Sequence, residues 1–565
     1  MALSRKRLRT PPSTRAGMLE KSPMSVPRKH VVAPAKLPRS VRKATRADKP
    51  GPAALSTPVR TPISARNPAL KAHMIFLVLI LILGAFLRFW GLTHHSIWWD
   101  EAGTIKLAKK SHTEILEYLK IGDSPPLFSF LLHTWIKAFG SGETAVRVFP
   151  AIFGFLLLPV LYWIGSALFS RRAGLLAALV AAAGEFHVRY SQEVRMYTLL
   201  PLLGVLSLYM LYKAVLENTT RHWVAYAMLM TATLYTHNYG TFIAASGVVF
   251  FVAIALKQKV RWKKFLIVQG LVGLAYLPWF LIVVGSQIGS PGIVGWIPRM
   301  RLSLVLRTFQ SYSGLIATVF RPALNGLIVI AGGLVFFACF LAGVFSLKKG
   351  GKKGGVWRLP VPYVSSQAGL VLVLCYLTVT LALPMLISIW KPIFLPYRYS
   401  IAAWPAFVLI VGLGLAKIKR PAVLAAALAI ILAVSSVSLY WYHRVWVKAY
   451  DRDIAAFIDS KAGPNDVIVS APNTLETPIK YYLRAPLKSV GFNGRGDTGS
   501  ETLTRIMAQL TDPGAKVFFV NIPLMTWIPH MQELGPLLDS HFSRGEQRKY
   551  EAVVLTIYLP KPAIK

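Results

Sequence analysis

From about residue 74 onward the chain alternates apolar runs of membrane-crossing length with short polar connections. A span needs about 20 mostly apolar residues. Eleven segments answer to that, near residues 74–92, 146–169, 173–190, 197–216, 223–240, 241–256, 264–284, 323–347, 369–390, 400–416 and 421–441. The segment at 173–190 carries Glu185, His187 and Arg189 in its second half, and 241–256 is short, so these two decide the parity of the count. After residue 442 the pattern changes. DIAAFI and LTRIMAQL have helical spacing, whereas DVIVSA, which follows Gly463-Pro464, KVFFVN and EAVVLTIYL read as strands. Residues 443–565 therefore predict a small α/β domain, without a phosphate loop, metal-ligand spacing or nucleophile elbow.

Composition agrees with a bilayer. The chain is 54% hydrophobic and 15% charged, with mean hydropathy +0.49, which is too apolar for one water-soluble core. A net charge of +41 raises the question of a nucleic-acid partner. Such a partner needs a basic face on a soluble fold, and here the charge sits in short runs between apolar stretches, so none is expected. The runs are Arg171-Arg172, Lys213 to Arg221, Lys257 to Lys264, Lys348 to Arg358, and Lys417 to Arg420. They fall in alternate connections, as the positive-inside rule asks of cytosolic loops. The connections 93–145, 185–196, 236–240, 285–322 and 391–399 then face outward, and an odd count puts residues 443–565 outside as well. Residues 1–72 hold eleven prolines and seventeen Lys or Arg against Glu20 and Asp48 alone. That composition predicts a disordered, cytosolic basic tail, a solvated arm that enforces topology and touches anionic lipid. About seventy polar residues before the first apolar segment are not a signal peptide. The expected location is the plasma (inner) membrane, crossed many times. Cys339 and Cys375 lie inside apolar stretches and offer neither a disulfide framework nor a cysteine metal site.

The outward connections hold most of the unusual polar residues, in four constellations. Trp98-Trp99-Asp100-Glu101 follows the first span closely, placing two carboxylates near the membrane surface; alone, it reads more readily as an aromatic belt beside ordinary loop acids than as an active site. The following TIKLAKKSHTEILEYLK has Ile105, Ala108, Ile115, Leu116 and Leu119 where a helix lying on the membrane needs them. After Pro125-Pro126, FSFLLHTWIKAFG suits an interfacial or re-entrant helix ended by Gly140 and Gly142. The second constellation is the string from Arg189 to Tyr197, with Gln192, Glu193 and Arg195, which is either a hydrated hairpin or a phosphate site. The third surrounds His237, and a lone histidine is commonly a structural one. The fourth is Tyr397-Arg398-Tyr399, where the arginine either snorkels or clamps a phosphate with paired donors.

WWDEA, DSPPLFSFLLHTWIKAFGSGETAVRVFPAIFGFLLLPVLYWIG, SRRAGLLAAL, HVRYSQEVRMY, YTHNYG and LPYRYSIAAWPAF occur in that order within residues 74–416. Together they resemble the bacterial membrane glycosyltransferases of the protein-mannosyltransferase and aminoarabinose-transferase superfamily. The nearest branch is the one named for the galacturonosyltransferases of the lipopolysaccharide core. The resemblance implies a GT-C fold of about eleven transmembrane helices over residues 73–442, an active site on the outer face, and a sugar donor carried on polyprenyl phosphate. It also implies an acceptor that is a membrane lipid, a glycan or a protein; residues 443–565, beyond the reach of the resemblance and without a catalytic motif, read as an accessory domain contacting it. The catalytic acids would be Asp100 and Glu101. Asp100 would act as base on the acceptor hydroxyl, or orient it, while the anomeric carbon is attacked with inversion, and Glu101 would support it. Arg195 and Arg398 would bind the donor phosphate, with Tyr397, Tyr399 and His237 behind them and Glu193 and Gln192 in support.

Two positions depart from the aminoarabinose branch, where an arginine closely follows the acidic pair and a lysine precedes the double proline. Gly103 and Ser124 stand there instead, so those two ligands do not carry over. Some relatives use a divalent metal near the donor. No diagnostic ligand spacing occurs here, which leaves a divalent metal open and implies no other cofactor. The rival readings are a lipid-linked sugar transporter or flippase and a non-catalytic scaffold. A transporter is disfavoured because the span centres are nearly free of acids and no repeat is evident.

Overall fold

The computed structural model describes residues 68–120, 124–288, 297–314, 322–346, 361–525 and 528–561. The basic tail, up to residue 67, and the basic connection from Lys348 to Arg358 lie outside the described residues.

The membrane part is helical throughout. Its elements are α1 (Pro68–Phe89), α2 (Trp99–Ala108), α3 (His112–Lys120), α4 (Leu127–Phe139), α5 (Glu143–Leu168), α6 (Arg171–Ala183), α7 (Glu185–Ser191) and α8 (Leu199–Glu217). They continue with α9 (Thr220–Leu234), α10 (Gly240–Ala255), α11 (Trp262–Ile288), α12 (Leu302–Tyr312), α13 (Pro322–Val344), α14 (Val361–Ile387), α15 (Trp404–Lys417) and α16 (Pro421–Arg444). Every one of the eleven apolar segments is helical. Among the described residues seven helices are long and apolar enough to cross a membrane, namely α1, α5, α8, α11, α14, α15 with the turn before it, and α16.

α15 lies at the centre, with every residue from Trp404 to Leu415 buried. Its glycines are what allow this. A β-carbon on Gly412 would stand 2.7 Å from the Ala177 backbone nitrogen of α6, and one on Gly414 only 1.8 Å from the Cys339 carbonyl of α13. Where lipid gives no hydrophobic drive between helices, such small residues let backbones approach and gain dispersion energy.

The segment expected as a span over 173–190 is broken at Gly184 into α6 and α7. The last carbonyls of α6 have no partner in a continuing helix. The fully buried Arg88 of α1 supplies them, donating to Ala181 at 2.9 Å and Ala182 at 3.1 Å, and contacts His187 Nδ1 at 3.0 Å. The His187 ring lies flat on Trp404, with centroids 4.6 Å apart. The polar residues that weakened the hydropathy signal are thus the ones that end the helix and turn the chain.

The connection between α1 and α5 differs from the expected surface helix. Ser111 and Glu114 form a reciprocal cap, with Ser111 N–H to Glu114 Oε2 at 3.0 Å and Glu114 N–H to Ser111 Oγ at 3.3 Å. That cap starts a new helix, so one periodic stretch becomes α2 and α3. Ile105, Ala108, Ile115 and Leu119 are buried in the main protein core rather than laid on lipid. α4 ends at Gly140, whose φ of +78° suits glycine.

The C-terminal domain comprises α17 (Asp451–Lys461), β1 (Val467–Ala471), α18 (Glu476–Tyr482), β2 (Lys488–Gly491), α19 (Gly499–Gln509), β3 (Val517–Asn521), α20 (Leu534–His541), β4 (Phe542–Tyr550) and β5 (Val553–Pro560). The strand order is β2-β1-β3-β5-β4, with β1 parallel to β2 and β3, and β5 antiparallel to β3 and β4. β1 and β3 are apolar on both faces because helices cover both. β4, at the edge, is polar and charged, which hid it from the hydropathy pattern and also guards the edge.

This domain is seated on the connection between α1 and α5. α18 packs against α2, the Tyr482 hydroxyl accepts the Ile97 N–H at 2.7 Å, and the Tyr481 hydroxyl donates to the Ser141 carbonyl at 2.8 Å.

Candidate active site

α2 begins at Trp99, so Asp100 and Glu101 occupy its first turn, where a helix favours anions. Successive helical residues point about 100° apart. Glu101 therefore turns into the protein while Asp100 keeps some access to solvent.

Glu101 is fully buried and takes four donors. Arg147 of α5 forks onto it through Nε at 3.0 Å and Nη2 at 2.9 Å, the Val194 N–H donates at 3.0 Å, and Lys448 Nζ stands at 3.0 Å. Arg147 also donates to the carbonyls of Leu92 and His95, each at 2.6 Å, to that of Ser96 at 3.0 Å, and to Glu143 at 2.9 Å. One guanidinium thus holds the turn from α1 to α2. Burial by itself raises the pKa of a carboxyl, but Arg147 and Lys448 outweigh it and bring that of Glu101 down to about 2.

Asp100 is paired differently. Its Oδ2 accepts from Arg398 Nη1 at 2.9 Å, and both side chains keep some access, 14% and 19% respectively. The Arg398 guanidinium lies 4.9 Å from the centre of the Trp98 ring, and Lys448 Nζ lies 4.9 Å from that same ring. The Thr104 hydroxyl donates to the Asp100 carbonyl at 2.7 Å and accepts from Arg195 at 2.9 Å. Arg195 in turn stands 5.8 Å from the Tyr197 ring.

The connection between α9 and α10 adds His237, buried and 5.3 Å ring to ring from Tyr399. Its Nδ1 accepts the Tyr239 N–H at 3.0 Å, which leaves the proton on Nε2. Burial first, and Arg195 second, lower it to about 3, so it is a neutral donor at ordinary pH. Glu193 is buried, with one oxygen 3.0 Å from Lys448.

The structure therefore brings Asp100, Glu101, Glu193, Arg195, His237, Arg398 and Tyr399 into one neighbourhood. Tyr397 is 39% exposed, and its carbonyl accepts the Tyr190 hydroxyl. Gln192 is turned away: it donates to the carbonyls of Leu87, Arg88 and Trp90 at 3.2, 3.3 and 2.8 Å, finishing the end of α1. Arg147, Lys448 and Trp98 were not anticipated as parts of the site. Arg147 had a signal in the sequence, a lone arginine at the very start of the apolar span 146–169. Lys448 had none.

The charge balance indicates what the site can hold. Among the described residues the carboxylates Asp100, Glu101 and Glu193 lie together with the cations Arg147, Arg195, Arg398 and Lys448. Guanidinium and ammonium groups gathered beside a partly accessible pair favour an anion. Trp98 Nε1, Glu193 Oε1 and the Tyr197 hydroxyl are buried without a hydrogen-bond partner among the described residues, and buried polar atoms of that kind call for one. Among the described residues no group of three or more His, Cys, Asp or Glu is placed to hold a metal ion, and the buried carboxylates Glu101 and Glu193 are already taken by cations.

Residues 123–284 match the family described as dolichyl-phosphate-mannose-protein mannosyltransferase. No curated protein matches the chain. Among solved structures, ArnT from Cupriavidus metallidurans in the apo state superposes with a TM-score of 0.57 at 14% identity, covering 87% of this chain and 98% of that one. The same protein bound to undecaprenyl phosphate gives 0.53 at 14%, with the same coverage. The oligosaccharyltransferase AglB from Archaeoglobus fulgidus, in complex with an inhibitory peptide and a dolichol-phosphate, gives 0.50 at 14%, covering 87% of this chain and 74% of that one. The chain is a polytopic membrane protein with the GT-C fold of these structures and a small C-terminal α/β domain.

Proposed function

We propose that the protein transfers a monosaccharide, with inversion, from a polyprenyl-phosphate-linked donor to a hydroxyl-bearing lipid, glycan or protein acceptor on the outer face of the plasma membrane. The observation that carries this reading is the Asp100–Arg398 pair, a carboxylate held by a guanidinium with both side chains still partly accessible. The shared fold with a protein that binds undecaprenyl phosphate and another that binds dolichol-phosphate supports it.

Without donor, Arg398 neutralises Asp100. A phosphate group offers the guanidinium two oxygens in the geometry it prefers. Arg398 therefore passes to the phosphate as the donor enters, and the Asp100 carboxylate is released. Asp100 then takes the proton of the acceptor hydroxyl. The acceptor oxygen bonds to the anomeric carbon opposite the phosphate, the carbon–oxygen bond to phosphate breaks, and polyprenyl phosphate leaves with the electron pair. The charge that develops on it meets Arg398, Arg195 and the Nε2–H of His237, donors already in place before the reaction. Glu101 is the clamp that fixes α2, because its four donors leave it no open face.

Asp100→Asn in reconstituted membranes tests the reading. General-base catalysis contributes about 10²- to 10⁴-fold, so transfer should fall by at least about 10². Cells carrying this variant should accumulate the lipid-linked sugar and lack one surface product by mass spectrometry, which names both substrates. Undiminished transfer in the folded variant would overturn the assignment.

A further inference from the structure

The last span ends at Arg444 and the C-terminal domain begins at Asp451, so residues 445–450 form a strap between them. From this strap Lys448 reaches into the site. Its side chain is only 9% exposed, and Nζ lies 3.0 Å from both Glu101 Oε2 and Glu193 Oε2. It also lies on the Trp98 ring that carries Arg398. Four residues further on, Arg452 Nη2 meets both oxygens of Glu143, at 2.8 and 2.7 Å, and Glu143 touches Arg147, which holds Glu101. Lys448, Glu101, Arg147, Glu143 and Arg452 thus make a closed circuit whose two ends belong to the strap and the domain behind it.

Burying an ammonium is costly unless it is fully paired. Neutralising Glu101 needs no second cation, since Arg147 already meets both of its oxygens. What Lys448 adds is a fixed distance between α2, the turn at Glu193 and the face of Trp98. We propose that Lys448 is a positioning residue of the active site, through which the C-terminal domain sets the attitude of α2, bearing Asp100, and of Trp98, bearing Arg398. The proposal rests on the transfer reaction assigned above. It makes the domain a part of the catalytic centre rather than an appendage that only meets the acceptor.

The experiment compares wild type, Lys448→Met, Lys448→Arg and Lys448→Met with Glu193→Gln in nanodiscs, each by initial rates and melting temperature. Lys448→Met should lower kcat at least tenfold with donor KM changed less than threefold, because no substrate contact is lost. Lys448→Arg should recover most of kcat, since a guanidinium can bridge the same two carboxylates. The double variant removes the orphaned charge of Glu193; it should regain the wild-type melting temperature and keep the low kcat. That separates position from folding. Wild-type kcat in the folded Lys448→Met variant, or recovery of kcat together with stability in the double variant, overturns this proposal alone. A wild-type protein that transfers no sugar overturns the assigned reaction and this proposal with it.

Discussion

Glu101→Gln is the substitution whose cost the structure states most directly. The glutamine keeps the shape of the side chain but not the charge that Arg147 and Lys448 surround. A carboxyl lowered from 4.5 to about 2 by folding stabilises the native state by about 3 kcal/mol at neutral pH, at roughly 1.4 kcal/mol for each tenfold change in proton affinity. Breaking a buried pair from one side costs about 3–5 kcal/mol by independent experience, a compatible figure. The sign with pH follows from the lowered value. The stabilisation is complete above 4.5 and is lost as pH falls through 2, so at pH 3 more than half of it should be gone, by about 2 kcal/mol. Glu101→Gln has no such charge to lose. Unfolding in nanodiscs can be followed at both pH values by tryptophan fluorescence, because Trp404 is fully buried at the centre of the helices. The gap between wild type and variant should be about 3 kcal/mol at pH 7 and close by more than half at pH 3. A gap that is absent, or equal at both pH values, would refute the claim that Glu101 is held ionised by its cations.

Three further outcomes are expected. Arg398→Ala should raise donor KM by about tenfold or more, the worth of one charge-assisted hydrogen bond, with acceptor KM little changed; in wild type, an acceptor analogue should bind measurably only after polyprenyl phosphate is present, and equal binding without it would dismiss the exchange of Arg398 between Asp100 and phosphate. Gly414→Leu should cost more than about 3 kcal/mol or abolish folding, because the Cys339 carbonyl already occupies the space of its first carbon; wild-type stability would show that α13 and α15 separate freely. Tyr482→Phe removes the partner of the Ile97 N–H at 2.7 Å and should cost about 1–3 kcal/mol, seen as faster proteolysis of the C-terminal domain at its junction with the spans. Unchanged cleavage would mean that this contact does not hold the domain down.

The apolar helices were legible because length and hydrophobicity act over many residues at once. The break at Gly184 was not, because it depends on Arg88, almost a hundred positions earlier, which caps the carbonyls that the break exposes. The reading of α2 and α3 as one surface helix failed for a local and a distant reason. Ser111 and Glu114 form a cap signature inside the periodic stretch, and the apolar face of that stretch meets protein where lipid was expected. In the site, Asp100, Arg195, His237 and Arg398 stood out as polar residues beside apolar spans. Their pairings did not, since Asp100 meets Arg398 across 298 positions and Glu101 meets Lys448 across 347. Lys448, in YHRVWVKAY, looks like any lysine next to a membrane. Gln192 shows the reverse error, a polar residue in a promising string whose amide is spent on the end of a helix.

The span of those pairings has a consequence for biogenesis. Residues enter the membrane in order, so α2 with its two carboxylates is made long before Arg398 and longer still before Lys448. Asp100 thus waits for its guanidinium until Arg398 has been made, and Glu193 for its ammonium until the strap follows α16. Making the strap is then the step that completes the cluster, and a product truncated before Lys448 would keep the Asp100–Arg398 pair but leave Glu193 without its ammonium.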